Sequence, residues 1–301
     1  MKKNTFIILV LAVATGCSHK ITGNSTGTNG TAQTVVDTRP TVTLVKGQKY
    51  IIENKITTTS SSEMQGQSME TNADVTSTYD IEVNDIKDDN YNMINKLTAI
   101  KLNMATMGQN VSFDSDNKED MNGDMGSSLK DYINHPNTVV MDKSGKVIVA
   151  NKTDSAKEND ATSPTQMMLK QIGDPEQQGY GAKMAFMPVS KTLKTGTAWK
   201  DSTSDNGITK VTNYVVKAIN GNVATLSVSG TEMRDTKMEM QGMEINTKTK
   251  GTFSGEETVD ITTGVILENN STMDASGNIS VMGQEIPTKV KAVSVTTVKP
   301  M

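Results

Sequence analysis

From Met69 to Val83 the odd positions read Met, Thr, Ala, Val, Ser, Tyr, Ile, Val, and the even positions from Glu70 to Asn84 read Glu, Asn, Asp, Thr, Thr, Asp, Glu, Asn. A strict period of two over such a length predicts a long antiparallel strand with one dry and one wet face. Similar runs predict strands over Lys49–Thr59, Tyr91–Thr106, Thr209–Ile219, Val223–Met233, Glu244–Phe253, Val265–Met273 and Thr288–Val298. Their many Thr and Val residues suit a pleated, half-buried surface. Turn chemistry marks the connectors: Asp88-Asp89-Asn90, Asn220-Gly221-Asn222, Thr263-Gly264 and Ser276-Gly277.

The pattern also repeats. Glu63-Met64-Gln65-Gly66 recurs as Glu239-Met240-Gln241-Gly242, and each copy is followed by a strand, a polar turn, a second strand and Met-Gly-Gln (Met107-Gly108-Gln109 and Met282-Gly283-Gln284). This predicts two related hairpin units, about residues 41–116 and 201–301, with glycines supplying the positive φ of tight turns. The intervening insert, about 117–200, is expected to hold a short helix at Ser127–Asn134 and a hairpin at Thr138–Val149 about Asp142-Lys143-Ser144-Gly145. Asp154–Thr162 reads as a polar linker. Ser163-Pro164-Thr165-Gln166 reads as the start of a helix through Ile172, with Met168, Leu169 and Ile172 on one side. Met184–Trp199, with Pro188 and the turn Lys194-Thr195-Gly196, leads into the second unit. The expected fold is mainly β: long twisted antiparallel sheets, half-barrel, clam or sandwich-like, with a small helical insert, forming one ectodomain over 41–301.

The first residues follow another pattern. Lys2 and Lys3, the apolar run Phe6–Val13 and the small residues Ala14-Thr15-Gly16 precede Cys17, the one cysteine of the 301-residue chain. This is the layout of a secretory signal, and the run is far shorter than the roughly 20 residues that span a bilayer. Ala14-Thr15-Gly16-Cys17 resembles a lipobox. That resemblance implies a signal peptide at 1–16, cleavage before Cys17 and a diacylglycerol thioether on its sulfur, with membrane attachment through lipid. Ser18 in place of Asp implies sorting to the outer membrane, facing the periplasm or the cell surface. Residues 17–40, rich in Thr, Gly, Asn and Ser, read as a flexible tether.

Composition narrows the function. Thirty Lys and Arg stand against 34 Asp and Glu, and the balance becomes more acidic once Lys2 and Lys3 leave with the signal. A nucleic-acid partner, which needs a basic footprint, is not expected. Aromatics make up 4% of residues, too few for the ring stacking usual at sugar sites. His19 lies in the tether and His135 beside Pro136 in a loop. With no other histidine and Cys17 blocked, neither Ser-His-Asp nor Cys-His catalysis nor a His/Cys zinc site is expected.

Lys46-Gly47-Gln48-Lys49-Tyr50, the Met-Gly-Gln hairpins, Pro188 followed by Thr195-Gly196-Thr197-Ala198-Trp199, and Asp260-Ile261-Thr262-Thr263-Gly264, together with the lipobox, resemble an uncharacterised family of Bacteroidota lipoproteins over most of residues 40–299. The resemblance implies a location and a β-rich fold but no activity. Asp154-Ser155-Ala156 and Asp201-Ser202-Thr203 also resemble the O-glycosylation signal of that phylum.

Candidate chemistry is sparse. Met238, Met240 and Met243 form an M-x-M-x-x-M string, and thioethers select Cu(I); Met104/Met107 and Met184/Met187 add pairs. Filling of gaps in a core poor in Leu and Phe is the simpler use of these side chains. The carboxylates Asp114/Asp116, Glu119/Asp120 and Glu256/Glu257 are the only basis for a hydrolase, and Glu256 and Glu257 are expected on opposite faces of a strand. The Asp114–Asp124 cluster offers oxygen ligands for Ca²⁺ without EF-hand spacing. The sequence therefore points to a non-catalytic envelope lipoprotein without a resident cofactor, binding a hydrophobic ligand or an envelope partner. A periplasmic Met-dependent copper protein is the alternative.

Overall fold

The computed structural model describes residues 40–64, 66–106, 109–150, 179–205, 207–240 and 243–301, with backbone alone at 64, 149, 150, 205, 238–240 and 243. The signal segment, Cys17, the tether, the Asp154–Thr162 linker and the expected helix through Ile172 lie outside these residues.

Among the described residues twelve strands form one antiparallel sheet: β1 (Lys49–Met64), β2 (Gln67–Lys87), β3 (Asn90–Thr106), β4 (Gln109–Asp114), β5 (Pro136–Asp142), β6 (Val147–Ala150), β7 (Ala198–Asp205), β8 (Ile208–Asn220), β9 (Val223–Met240), β10 (Met243–Asp260), β11 (Ile266–Val281) and β12 (Gln284–Pro300). The strand order is β6-β5-β3-β2-β1-β12-β11-β10-β9-β8-β7, with β4 paired to the outer part of β3. The two hairpin units thus join through β1 and β12, which run antiparallel from Tyr50↔Pro300 to Ser62↔Thr288. No pairing among the described residues joins β7 to the opposite edge, so the sheet is open. The expected plural sheets are one.

The period of two decides which face is dry. On β2, Met69, Thr71, Val75, Ser77, Tyr79, Ile81 and Val83 are buried and the alternate residues are more exposed. Where turn residues adopt left-handed geometry, the strand twist continues through a two-residue hairpin. Asp88 and Asp89 have φ of 50° and 64° between β2 and β3, and Met282 and Gly283 have φ of 52° and 80° between β11 and β12. Ser276-Gly277, expected as a turn, lies instead inside β11. Gly277 pairs with Thr249 and Thr288, and a Cβ there would sit 2.0 Å from the Lys248 carbonyl oxygen. This glycine serves the close approach of two strands, not a reversal.

In the insert, the expected helix at Ser127–Asn134 is earlier and double: α1 (Lys118–Asn122) and α2 (Asp124–Leu129). Asn117 caps α1 by accepting a hydrogen bond from the Glu119 N–H at 2.8 Å. A third helix, α3 (Tyr180–Ala185), was not foreseen, because its Gly-Ala-Lys-Met core has no periodic length. The hairpin about 142–145 forms, with the Asp142 carboxylate accepting from the N–H groups of Ser144 and Lys146. Among the described residues no helix is long and apolar enough to cross a membrane.

The family-like motifs prove to be corners. Gly47 (φ 86°) donates its N–H to the Val83 carbonyl, and the Gln48 side chain accepts from the Val45 N–H and the Tyr50 hydroxyl. Asp260 accepts from the N–H groups of Thr262 and Thr263 while Gly264 (φ 79°) closes the turn. Gly264 in turn receives the Met187 N–H. Residues 40–44, α3 and 186–189 pack together across one end of the dry face. Thr41 pairs with Val189, Phe186 pairs with Val265, the Tyr50 and Phe186 rings meet edge to face at 5.4 Å, and Tyr91 donates to the Val42 carbonyl.

Candidate binding site on the buried face of the sheet

The dry face carries two hydrophobic clusters. One joins β1–β3 and β5 to residues 42–44, Leu129 and α3 through side chains such as Ile52, Tyr79, Ile81, Tyr91 and Met93. The other joins β8–β12 to Met187 and Val189 through Tyr214, Leu226, Phe253, Ile266 and Met273.

Several positions on this face hold polar side chains. In the first unit they are neutral: Asn54, Thr58, Ser60, Thr71, Ser77 and Asn95 are buried. Asn54 Oδ1 accepts from the hydroxyls of Ser294 and Thr296 at 3.3 and 3.0 Å. In the second unit the neutral Thr212, Thr247, Thr288, Ser294 and Thr296 are joined by ionisable side chains: Asp201, Lys210, Glu232 and Glu257 are buried, at 5, 6, 2 and 1% exposure. Burying a charge is costly unless it is paired and hydrogen-bonded, so each of these has to be accounted for.

Glu232 is satisfied by Arg234, whose Nε lies 2.6 Å from Oε1. Asp201 accepts from the Ser202 N–H at 2.8 Å. Lys210, opposite Glu232 in the β8–β9 register, does not join that pair. Its ammonium lies over the Phe253 ring, 4.5 Å from the centroid. Phe253 takes that position because Gly230 lies beside it: a Cβ on Gly230 would be 2.5 Å from the ring's Cζ.

Glu257 is the exception in this set. Oε2 accepts from the Asn269 amide at 2.6 Å, whereas Oε1 has no partner. Burial pushes its pKa up to about 7, against the opposing pull of the Asn269 hydrogen bond and the Lys210 charge. At neutral pH much of this carboxyl is protonated and presents a hydrogen-bond donor to the interior. Lys210 thus sets a cation over the Phe253 ring, and Glu257 stands two dry-face positions further along β10, beyond Gly255.

The residues singled out from sequence distribute otherwise. Backbone register sets Met240 opposite Met243 and Met238 opposite Ile245 at the β9–β10 tip; their side chains lie outside the described set. Met107 also lies outside it, while Met104 is half-buried against the first cluster. Met184 and Met187 pack into different clusters, so that pair does not converge. His135 is exposed before β5.

Asp114 and Asp116 are both bridged by Lys101, at 3.0 and 3.2 Å, and the Asp120 carboxylate accepts from the Asp114 N–H. Hydrogen bonding from the Asp116 N–H and from Lys101 holds the Asp114 carboxyl below its ordinary range. The acidic cluster is thus engaged by its own loop. No group of three His, Cys, Asp or Glu suited to a metal occurs among the described residues. Glu256 faces outward toward Lys217 at 3.6 Å, opposite in direction to Glu257, as the alternation requires. Ser202 is exposed on β7, and Asp154-Ser155-Ala156 lies outside the described residues.

Sequence reasoning passed over Lys210 and Glu232, and read Glu257 only as half of a pair. The signal was present. Lys210 shares parity with Tyr214 and Val216, Glu232 with Leu226 and Val228, and Glu257 with Phe253 and Val259. A charge on the apolar parity of a strand is the mark of a buried ionisable group.

Fold and site define a single-sheet β protein with an ionisable site on its dry face. The chain belongs to a family of unknown function, DUF6263, whose model matches residues 88–266. No curated protein matches the sequence. Among solved structures, lipovitellin, in a structure titled for lipid–protein interactions, is similar at a TM-score of 0.47 and 9% identity, over 85% of this chain and 25% of that one. The chain therefore spans about a quarter of lipovitellin's length. An outer membrane channel of Pseudomonas putida F1 is similar at 0.25 and 8% identity, over 89% of this chain and 100% of that one. Pseudomonas aeruginosa OccK7 is similar at 0.26 and 6% identity, over 86% and 100%.

Proposed function

We propose that the chain is a lipid-anchored envelope protein of the outer membrane, acylated at Cys17, whose sheet binds a hydrophobic ligand without catalysis. The observation that supports the binding reading is the reach of the dry face. The described elements outside the sheet meet it at positions such as Tyr50, Tyr79, Leu97 and Val265. Burial nevertheless continues toward the hairpin tips, through Ser60, Met69, Thr71, Thr247, Ile279, Ile286 and Thr288. That stretch is lined by small hydroxyl and aliphatic side chains, which suit a flexible acyl chain better than a stacked ring.

The test is native mass spectrometry of the full chain carrying Cys17→Ser, produced in a periplasm. A heterogeneous adduct of lipid mass is expected, and a clean apo mass that stays apo after incubation with phospholipid vesicles would sink the reading. Acylation is tested separately: radiolabelled palmitate should enter the wild-type chain and not Cys17→Ser.

A second reading, Cu(I) binding through Met238, Met240 and Met243, is favoured by the cross-strand register of Met240 and Met243. It predicts a thioether-dependent copper load that is lost when the three are changed to Leu; an unchanged load would rule that site out.

A further inference from the structure

The turns at the two ends of the sheet differ in chemistry. Beside residues 40–44 and α3 their apices are polar: Asp88-Asp89, Lys143-Ser144-Gly145, Gly221-Asn222 and Thr262-Thr263-Gly264. At the opposite end the adjoining β1–β2, β11–β12 and β9–β10 hairpins close at Met64 (paired with Gln67), at Met282-Gly283 and at Met240 (paired with Met243). The β7–β8 turn stands back from this rim. Ile208 pairs with Arg234, six residues before Met240 or roughly 20 Å along the strand.

Met282 is the clearest of these positions. Its φ is 52°, in the left-handed region, and the residue is 76% exposed. The β2–β3 hairpin fills the same geometry with Asp88 and Asp89, residues of the kind that such a turn favours. A methionine there forgoes turn stability and shows a thioether to water, so folding gains nothing from it. The dry face also runs out to this rim. Met69, Ile279 and Ile286 are buried, Ile245 and Val281 are half-buried, and Met64, Met238, Met240 and Met243 continue the dry parity of β1, β9 and β10.

We infer that this rim docks on a zwitterionic lipid surface, its methionines entering the head-group boundary so that an acyl chain passes onto the dry face without crossing water; the passage, though not the docking, rests on the hydrophobic-ligand reading above. Lipid suits these side chains better than a protein does. Methionine is unbranched and flexible and settles on irregular, changing surfaces. No Trp, Tyr or Arg of the kind that anchors protein interfaces occurs in residues 62–69, 236–247 or 279–288. Without an aromatic belt the docking is shallow and reversible. Charge selects the lipid. Within five residues of these three turns the sequence places Glu63, Glu70, Glu239, Glu244 and Glu285 against Lys237 alone, so an anionic surface would repel the rim. Thr41 bridges to Val189 at the far end of the sheet, and a lipid anchor at Cys17 does not of itself bring the rim to a membrane.

In the full chain carrying Cys17→Ser, Gln284→Cys or Lys87→Cys supplies a single thiol, at the rim or at the opposite end, for an environment-sensitive nitrobenzoxadiazole dye. On addition of phosphatidylcholine vesicles the emission at the rim should shift to the blue and that at the other end should not. Mixing in phosphatidylglycerol at low salt should weaken the response; a stronger one would overturn the zwitterionic preference. Met282→Asn should weaken partition about three-fold, and its combination with Met64→Thr and Met240→Thr at least about ten-fold. The thermal midpoint should hold, since Asn suits the left-handed turn and Thr the strand. Met282→Asn alone decides the matter should the triple variant fail to fold. No shift at the rim, an equal shift at both ends or a shift unmoved by Met282→Asn overturns the docking, and a lipid-mass adduct carried by such a chain leaves the hydrophobic-ligand reading standing. A rim that enters lipid in a chain that carries no adduct upholds the docking and overturns the passage.

Discussion

The β1–β2 and β9–β10 hairpins are two versions of one design. With Met64 laid on Met240, the tips coincide, Met64 pairing with Gln67 and Met240 with Met243. The dry positions then fall on each other: Ile56 on Glu232, Ser77 on Phe253, Tyr79 on Gly255 and Ile81 on Glu257. In the first hairpin these positions carry apolar or neutral side chains, and Tyr79 meets α3, its ring 6.0 Å from that of Tyr180. In the second, a core isoleucine has twice been replaced by glutamate and a core tyrosine by glycine. Turns and alternation set the backbone of both, while a few substitutions at dry positions separate a structural core from a site. Burying an ionisable group where the sister hairpin keeps isoleucine sacrifices stability, as functional sites often do.

Exchanging the two hairpins' residues tests this contrast most severely. Ile81 is fully buried, and Ile81→Glu should cost roughly 4 kcal/mol or more, from lost apolar burial and an unpaired buried carboxyl. Chemical denaturation would show it as a large fall in midpoint. The reverse change, Glu257→Ile, should raise stability by roughly 1–3 kcal/mol, since a buried ionisable group gives way to an apolar side chain. A loss of stability in Glu257→Ile would mean that the carboxyl is structural and the contrast false.

The same carboxyl gives the second hairpin a pH signature that the first lacks. The folded pKa of about 7 lies above the ordinary glutamate value of 4.5, so the fold favours the neutral form. Its contribution is whole below about pH 4.5 and is lost as pH rises through about 7, a decline of roughly 3 kcal/mol. Thermal midpoints from pH 4.5 to 8.5 should therefore drop in the wild type more steeply than in Glu257→Gln. Parallel curves would remove Glu257 from the account.

The backbone contrast was more legible in the sequence than the chemical one. The period of two over 69–83 located β2 to within a few residues at each end, because a one-residue slip would turn every dry side chain to water. Strand ends near the tips were clipped, since Ser60–Ser62 and Arg234–Lys237 lack apolar marks although the ladder continues through them. Ser276-Gly277 misled for the opposite reason: glycine marks a turn and a close approach alike, and only the pairing of Gly277 with both neighbours distinguishes them. Glu257 was visible as a residue on the dry parity, but its partners Asn269 and Lys210 come from β11 and β8. Their meeting depends on register between strands, which alternation within one strand does not specify.

Gly230 and Asn54 occupy equivalent dry positions and offer an intermediate test. Asn54 carries a side chain that accepts hydrogen bonds from β12, whereas a Cβ on Gly230 would lie 2.0 Å from the Val211 carbonyl oxygen and against Phe253. Gly230→Ala should cost roughly 1–3 kcal/mol by overpacking and displace the ring from Lys210. Asn54→Ala should cost about 1–2 kcal/mol, because the Ser294 and Thr296 hydroxyls lose their acceptor. If the dry face is where the two hairpins differ, the wet face should be indifferent in both. Lys55–Glu53 on β1 and Lys291–Asp274 across β11–β12 are exposed ion pairs at 3.0 and 3.7 Å. Such pairs contribute at most about 1 kcal/mol and are screened by salt. Lys55→Ala and Lys291→Ala should therefore shift the denaturation midpoint within error and carry the same lipid-mass adduct as the wild type. A wet-face change that removed the adduct would move ligand binding off the dry face, and with it the meaning of the contrast between the hairpins.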